Sequence, residues 1–294
     1  MRVTYHTFSR QVLDDLSTVS TRLGRLQGQL STGKEITRPS DDPFRTGRAM
    51  ALRNELGDVA QYTRAVDDGV ARLTATDGAL GNAGDILGRA RGLVLEASNG
   101  TLDQTGLNAI AREIAQLRES LREQGNATFD GRFLFSGTAT TTAPYPTPGT
   151  TYAGNALPVQ RLIAPGQVVA VNTTGPAMMG PNGSNVLDLL SQIEADLLAG
   201  NRSNLQTADL LNLDVAIDRN LAVRATVGAM TNRLETQLSR LQDHELSLSG
   251  LLSNAEDADM ARTMVEFSQT QAVYQAALQS GARIMQPTLM DFLR

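Results

Sequence analysis

Apolar residues near the start of the chain recur at three- and four-residue steps. Val12, Leu16, Val19, Leu23, Leu26 and Leu30 follow the 3.5-residue period of a coiled-coil seam, with Ser, Thr, Gln, Arg and Asp filling most positions between. So narrow a stripe buries little alone, which predicts a helix in need of a partner. Leu30-Ser31-Thr32-Gly33-Lys34 ends it, with Gly33 suited to a helix C-terminus. The run Pro39-Ser40-Asp41-Asp42-Pro43 predicts a restart. Asp42 precedes a proline and is pushed towards N-cap geometry, and Pro43 suits the first helical position. A helical pattern then runs to about Asn99 through Leu52, Leu56, Val59, Val66, Val70, Leu73, Leu80, Leu87 and Val94. At 1.5 Å per residue that is a rod about 80 Å long. After the Asn99-Gly100-Thr101 turn, Leu107, Ile110, Ile114, Leu117 and Leu121 predict a second helix, antiparallel to the first as an αα-hairpin.

The pattern changes at residues 137–184, which are rich in Thr, Pro and Gly. Val159–Ile163 and Val168–Asn172 predict two short strands around Pro165-Gly166, a small β insertion. Helical spacing resumes near Asn185. Val227, Met230, Leu234, Leu238, Leu241, Leu248 and Leu252 form a seam with an extra four-step at 234–238, the mark of a stutter. Phe267, Tyr274, Leu278, Met285, Leu289 and Phe292 form the last seam, with Pro287 predicting a kink or restart. The fold class is mainly α with a small β insertion, elongated, with long antiparallel helices and a terminal coiled coil between the N- and C-terminal segments.

Composition narrows the function. The 294 residues carry 26 basic and 31 acidic side chains, a formal charge of −5. Lys34 is the only lysine. Nucleic-acid binding, which draws on a surplus of phosphate-neutralising side chains, is not expected. The absence of cysteine excludes disulfides, thiolate metal sites and cysteine nucleophiles, and two histidines, His6 and His244, make no His-rich metal centre. No run of apolar residues is long enough for a membrane span. The start, Met1-Arg2-Val3-Thr4-Tyr5-His6, lacks the pattern of a cleaved signal peptide. That fits a cytoplasmic protein, or one exported by a route that reads an uncleaved N-terminus.

Three motifs are better read as structure than as chemistry. Gly28-Gln29-Leu30-Ser31-Thr32-Gly33-Lys34-Glu35 approaches a phosphate-binding loop. It has Glu where a magnesium-binding hydroxyl belongs, and it follows a helical seam where that loop follows a strand. Asp41 and Asp42 suit capping better than acid–base catalysis, since both fit capping positions beside Pro43. Asn-x-Ser/Thr triplets at Asn99, Asn126, Asn172, Asn182 and Asn201 suit turns and caps. No nucleophile elbow, zincin helix or EF-hand loop occurs, so no enzyme and no cofactor are expected. The two end segments, thinly striped and set off by breakers, are expected to order only against one another within a larger assembly.

The run from Leu30 to Pro43, followed by Ala49–Leu56, resembles the N-terminal signature of the bacterial flagellin superfamily. Gly131-Arg-Phe-Leu-Phe-Ser-Gly137 resembles its hook-associated branch, as do Tyr274–Met285 and Leu289–Leu293. Pro287 is similar to flagellins proper, which makes a filament subunit the alternative. The resemblance implies a structural junction between the flagellar hook and filament. It also implies export, unfolded and without a cleaved signal peptide, through the flagellar type III apparatus to the extracellular flagellum. The implied partners are further copies of itself in a ring, hook-associated protein 1, flagellin and a cytoplasmic export chaperone. Mapped here, residues 1–40 and 256–294 would form an inner coiled-coil layer. Residues 41–136 and 185–255 would form the helical rod, and 137–184 an outward β module. The expected assembly stripe is Leu16, Leu23, Leu26, Leu30, Phe267, Tyr274, Leu278 and Met285.

Overall fold

The structure, a computed structural model, describes the backbone of residues 5–100 and 102–285 and the side chains of residues 10–100 and 102–282. Pro287, Leu289, Phe292 and the side chain of Met285 therefore lie outside the described residues, as does Thr101 of the predicted turn. The elements in order are α1 (Tyr5–Thr32), α2 (Pro43–Ser98), α3 (Gln104–Gly125), β1 (Thr128–Phe129), β2 (Arg132–Phe133), β3 (Gln160–Ala164), β4 (Gln167–Ala170), α4 (Gly175–Met179), α5 (Val186–Ala199), α6 (Arg202–Asn204), a π turn (Leu205–Asp209), α7 (Leu210–Glu256) and α8 (Met260–Met285). They divide into two compact units, residues 1–58 with 245–294, and residues 59–244.

In the unit formed by residues 59–244, α2 and α7 pair through rows of buried residues spaced by sevens. Val66, Leu73, Leu80, Leu87 and Val94 lie on α2, and Leu213, Asn220, Val227, Leu234 and Leu241 on α7. The Asn220 Nδ2 donates to the Leu80 carbonyl at 2.9 Å, and a Cβ on Gly69 would come within 2.9 Å of Leu234 Cδ1, so the helices run antiparallel. The expected stutter is absent from this packing. Burial steps straight from Leu234 to Leu241 while Leu238 is half-buried, because the sevens of α2 and α7 share one seam.

The second helix of the predicted hairpin forms as α3, antiparallel to α2 through Asn82–Gln124 and Arg89–Glu113 side-chain hydrogen bonds of 3.2 and 2.7 Å. Asp103 caps it by accepting from the Gly106 N–H at 2.8 Å. Its buried Leu107, Ala111, Ile114 and Leu121 repeat the four-three spacing. On the far side lies α5, tied by Arg118 to Glu194 at 2.5 Å and opened by a capping box of Asn185 and Asp188.

The insertion is less β than expected. Within 137–184 the strands are β3 and β4, an antiparallel hairpin turning at Pro165-Gly166 with Ile163 and Val169 inward. An unexpected hairpin precedes it, β1 and β2, turning on Asp130 and Gly131 at positive φ of 50° and 68°. The remainder lacks alternating apolar residues, and side chains satisfy its backbone instead. Asn126, past the end of α3, bonds both the N–H and the carbonyl of Tyr145 at 2.8 Å. Tyr152 Oη lies 2.9 Å from the Phe135 carbonyl and 2.8 Å from that of Asn155.

Candidate assembly interface

The unit of residues 1–58 and 245–294 is built on the pairing of α1 with α8. Val12 meets Gly281 near one end, Arg22 faces Glu266 at 3.7 Å, and Lys34 and Asp257 form an antiparallel bridge at the other end. The two helices are therefore antiparallel. The row Val12, Leu16, Val19, Leu23, Leu26, Leu30 aligns with Gly281, Ala277, Tyr274, Thr270, Phe267, Thr263, and each row steps four-three-four-three-four. Four of the six layers set a large residue against Gly, Ala or Thr. Leu26, Thr263 and Thr270 are buried at 4%, 7% and 9% exposure, and most of the rest are half-buried.

Of the stripe residues read from the sequence, Leu16, Leu23, Leu26, Leu30, Phe267 and Tyr274 come together on this seam. Leu278 does not: it lies on the outer face of α8 at 45% exposure, and its place in the seam is taken by Ala277. Thr263, Thr270, Ala277 and Gly281 were missed because a count of large apolar side chains passes over them. Only their spacing against Phe267 and Tyr274 could have found them. The pairing also changes the expectation for the ends. A single chain already brings α1 and α8 together, because each offers the other a complementary row.

Outside the seam the two helices differ. Among the described residues, the outer face of α1 is polar apart from Leu13, whereas α8 exposes Met260, Met264, Val265, Val273 and Leu278 at 45–57%. Scattered apolar residues are ordinary on a surface, but this many spread round the sides of one helix that α1 leaves open mark a helix with room for further contacts.

At the bridged end, the turn after α1 meets the turn between α7 and α8. Gly33, at φ 72°, ends α1 with its N–H on the Gln29 carbonyl at 2.8 Å, as its placement predicted. Glu35 N–H donates to the Glu256 carbonyl at 2.7 Å and Ala258 N–H to the Gly33 carbonyl at 2.9 Å. Between them the Glu256 carboxylate, at 6% side-chain exposure, takes Lys34 Nζ at 2.6 Å on Oε1 and Arg53 on Oε2. Arg45 joins Glu35 at 2.8 Å and reaches the Ala255 carbonyl at 3.2 Å. The lone lysine of the phosphate-loop look-alike is thus an ion-pair partner. Asp42 caps α2 as predicted, accepting from Phe44 and Arg45 N–H at 3.0 Å. Asp41 does not cap a helix. It folds the preceding turn, accepting from the Arg38 N–H at 2.9 Å, the leading cause of a carboxyl pKa below the usual range. Sequence reasoning missed Glu256 and Arg53, whose signal was only the break at Asp257–Asp259. Among the described residues no group of three His, Asp or Glu side chains gathers as a metal site.

Long helices meeting in heptad seams, with the two termini paired, define a flagellin-type helical subunit. The profile of the bacterial flagellin N-terminal helical region matches residues 4–140, and that of the C-terminal helical region residues 210–293, together about three quarters of the chain. The chain belongs to the bacterial flagellin family and is a structural component of the flagellum. Within it, the chain is 28% identical to flagellar hook-associated protein 3 of Escherichia coli (strain K12), over 85% of this chain and 86% of that one. It is 27% identical to flagellin of Bacillus subtilis (strain 168), over 94% of each. A solved hook-associated protein of Vibrio parahaemolyticus, 24% identical, shares the fold with a TM-score of 0.69, covering 74% of this chain and all of that one. No described helix is long and apolar enough to cross a membrane.

Proposed function

We propose that this chain forms the junction between flagellar hook and filament, adding to a ring of its own copies through the sides of α8 that α1 leaves exposed. The observation that carries the reading is that Met260, Met264, Val265, Val273 and Leu278 of α8 stay exposed on the sides that α1 does not cover. Fully burying such a side chain is worth about 1.5–3 kcal/mol, so five exposed on several sides of one helix suit contact with more than one neighbour. The α1–α8 pair is thin, and packing in the ring supplies the cover that completes it, coupling final ordering of the ends to polymerisation. Residues 1–40 and 256–294 then make the inner layer and residues 137–184 an outward module. Hook-associated protein 1 on one side and flagellin on the other are the neighbours this place implies. Delivery as an unfolded chain through the type III apparatus, with a cytoplasmic chaperone, puts it outside the cell.

The test is complementation of a strain lacking the chain. The deletion is expected to leave hooks that shed filament protein into the medium; loss of the filament protein itself would favour the flagellin alternative. Met264→Glu, Val273→Glu and Leu278→Glu are expected to keep the helical signal yet fail to restore attached filaments. Attached filaments with all three charges in place would overturn the reading.

A further inference from the structure

The α1–α8 seam repeats, and a repeating seam does not fix its own register. Sliding the helices by seven residues replaces Val12 against Gly281 with Val19 against Gly281, and sets Leu23 and Leu30 where Leu16 and Leu23 were. Leucine still meets Ala277 or Thr270, and valine still meets Gly281. Four of the six layers keep their match, while Phe267 and Thr263 come opposite Gly33 and Thr37 past the end of α1, so burial alone leaves much of the slipped seam intact.

The bridged end supplies what the seam lacks. Glu256 is a buried carboxylate, and its two oxygens are divided between Lys34, from the turn after α1, and Arg53, from α2. The backbone of the same residue accepts from Glu35. Lys34 is the only lysine, and nothing seven residues along in either direction repeats the arrangement: Gln27 and Asp41 stand there. A slipped alignment would pull Lys34 off a carboxylate that has little water to replace it, a penalty that a buried charge imposes and an apolar contact does not.

We propose that the Lys34–Glu256–Arg53 triad is the register pin of the α1–α8 pair, with Glu256 its positioning residue. This rests on the assembly reading only for its purpose: a ring needs every copy to present α8 at one height along α1. The triad selects an alignment more than it adds stability, since buried ion pairs replaced as a set by apolar residues often leave a fold as stable as before.

The absence of cysteine gives a direct test. In the otherwise complete chain at low concentration, Val12→Cys with Gly281→Cys reports the native register, and Val19→Cys with Gly281→Cys reports the slip. One heptad is about 10 Å along a helix, beyond disulfide reach. With the triad intact, only the native pair is expected to close. Glu256→Gln, and separately the set Lys34→Met, Arg53→Met and Glu256→Met, are expected to raise closure of the slip pair at least tenfold. Helical signal from circular dichroism should be retained in the triple variant, which separates slippage from unfolding. Arg89→Met, which removes an exposed ion pair to Glu113 elsewhere, should leave the register alone. Native-only closure in both triad variants would overturn the pin, whatever the variants do in polymerisation. Slipped chains that still build rings would instead sink the demand for a matched pair and leave the pin standing.

Discussion

Asp209 ends the π turn at 3% exposure, with Oδ2 lacking a hydrogen-bond partner. Burial first, and the Asp196 carboxylate second, push its pKa up to about 6. An unfolded Asp titrates near 3.9, so between about pH 4 and 6 the native state holds the extra proton. Stability from this group therefore falls as pH rises through that window, and the deficit is complete above it. Asp209→Asn is expected to raise stability at pH 8 by about 1–2 kcal/mol and to flatten this pH dependence, read from urea midpoints between pH 4.5 and 8. Gly137 is a second single-residue constraint: its φ is 68°, and a Cβ there would stand 2.1 Å from the Asn155 carbonyl oxygen. Gly137→Ala should cost at least about 2 kcal/mol, measured by the same unfolding curves. Neither constraint is legible along the chain, where Asp209 is one acid among many and Gly137 a loop glycine. Asp42 was legible, because the proline after it restricts its backbone; Asp41, its neighbour, was not, because its partners are fixed only when the turn closes.

Among the elements, the α2–α7 ladder is apolar in every seventh position but one. Asn220 stands in it at 2% exposure, its Nδ2 on Leu80 and its Oδ1 without a partner, in the gap that Gly84 leaves open. A polar residue at such a position weakens a seam while specifying its alignment. Asn220→Leu is expected to raise stability by about 1 kcal/mol in urea titration and to loosen the pairing, seen as faster amide exchange around Leu80. Leu73→Ala, in an apolar rung, should cost about 2–5 kcal/mol in the same titration. The helices themselves were plain in the sequence, since a seven-residue repeat states both the element and its buried face. Adding every leucine to the seam produced a stutter the packing does not contain: Leu238 lies beside the buried row instead of in it.

At the scale of the molecule, removing residues 1–40 and 256–294 takes away α1, α8, Lys34 and Glu256 together. The trimmed chain is expected to lose the helical signal of the two terminal helices and all polymerisation. Residues 59–244 should keep their melting transition, checked by circular dichroism and sedimentation. Spacing determined the long helices, their caps and the pairing of the two ends, because periodicity and local backbone restriction act within a few residues of the chain. Tertiary structure alone decided that Ala277 and not Leu278 enters the seam, that Glu256 gathers Lys34 and Arg53, and that α8 keeps five large apolar side chains exposed. Each of these depends on which residues become neighbours across about 200 positions of sequence, and burial and charge pairing are properties of those neighbours.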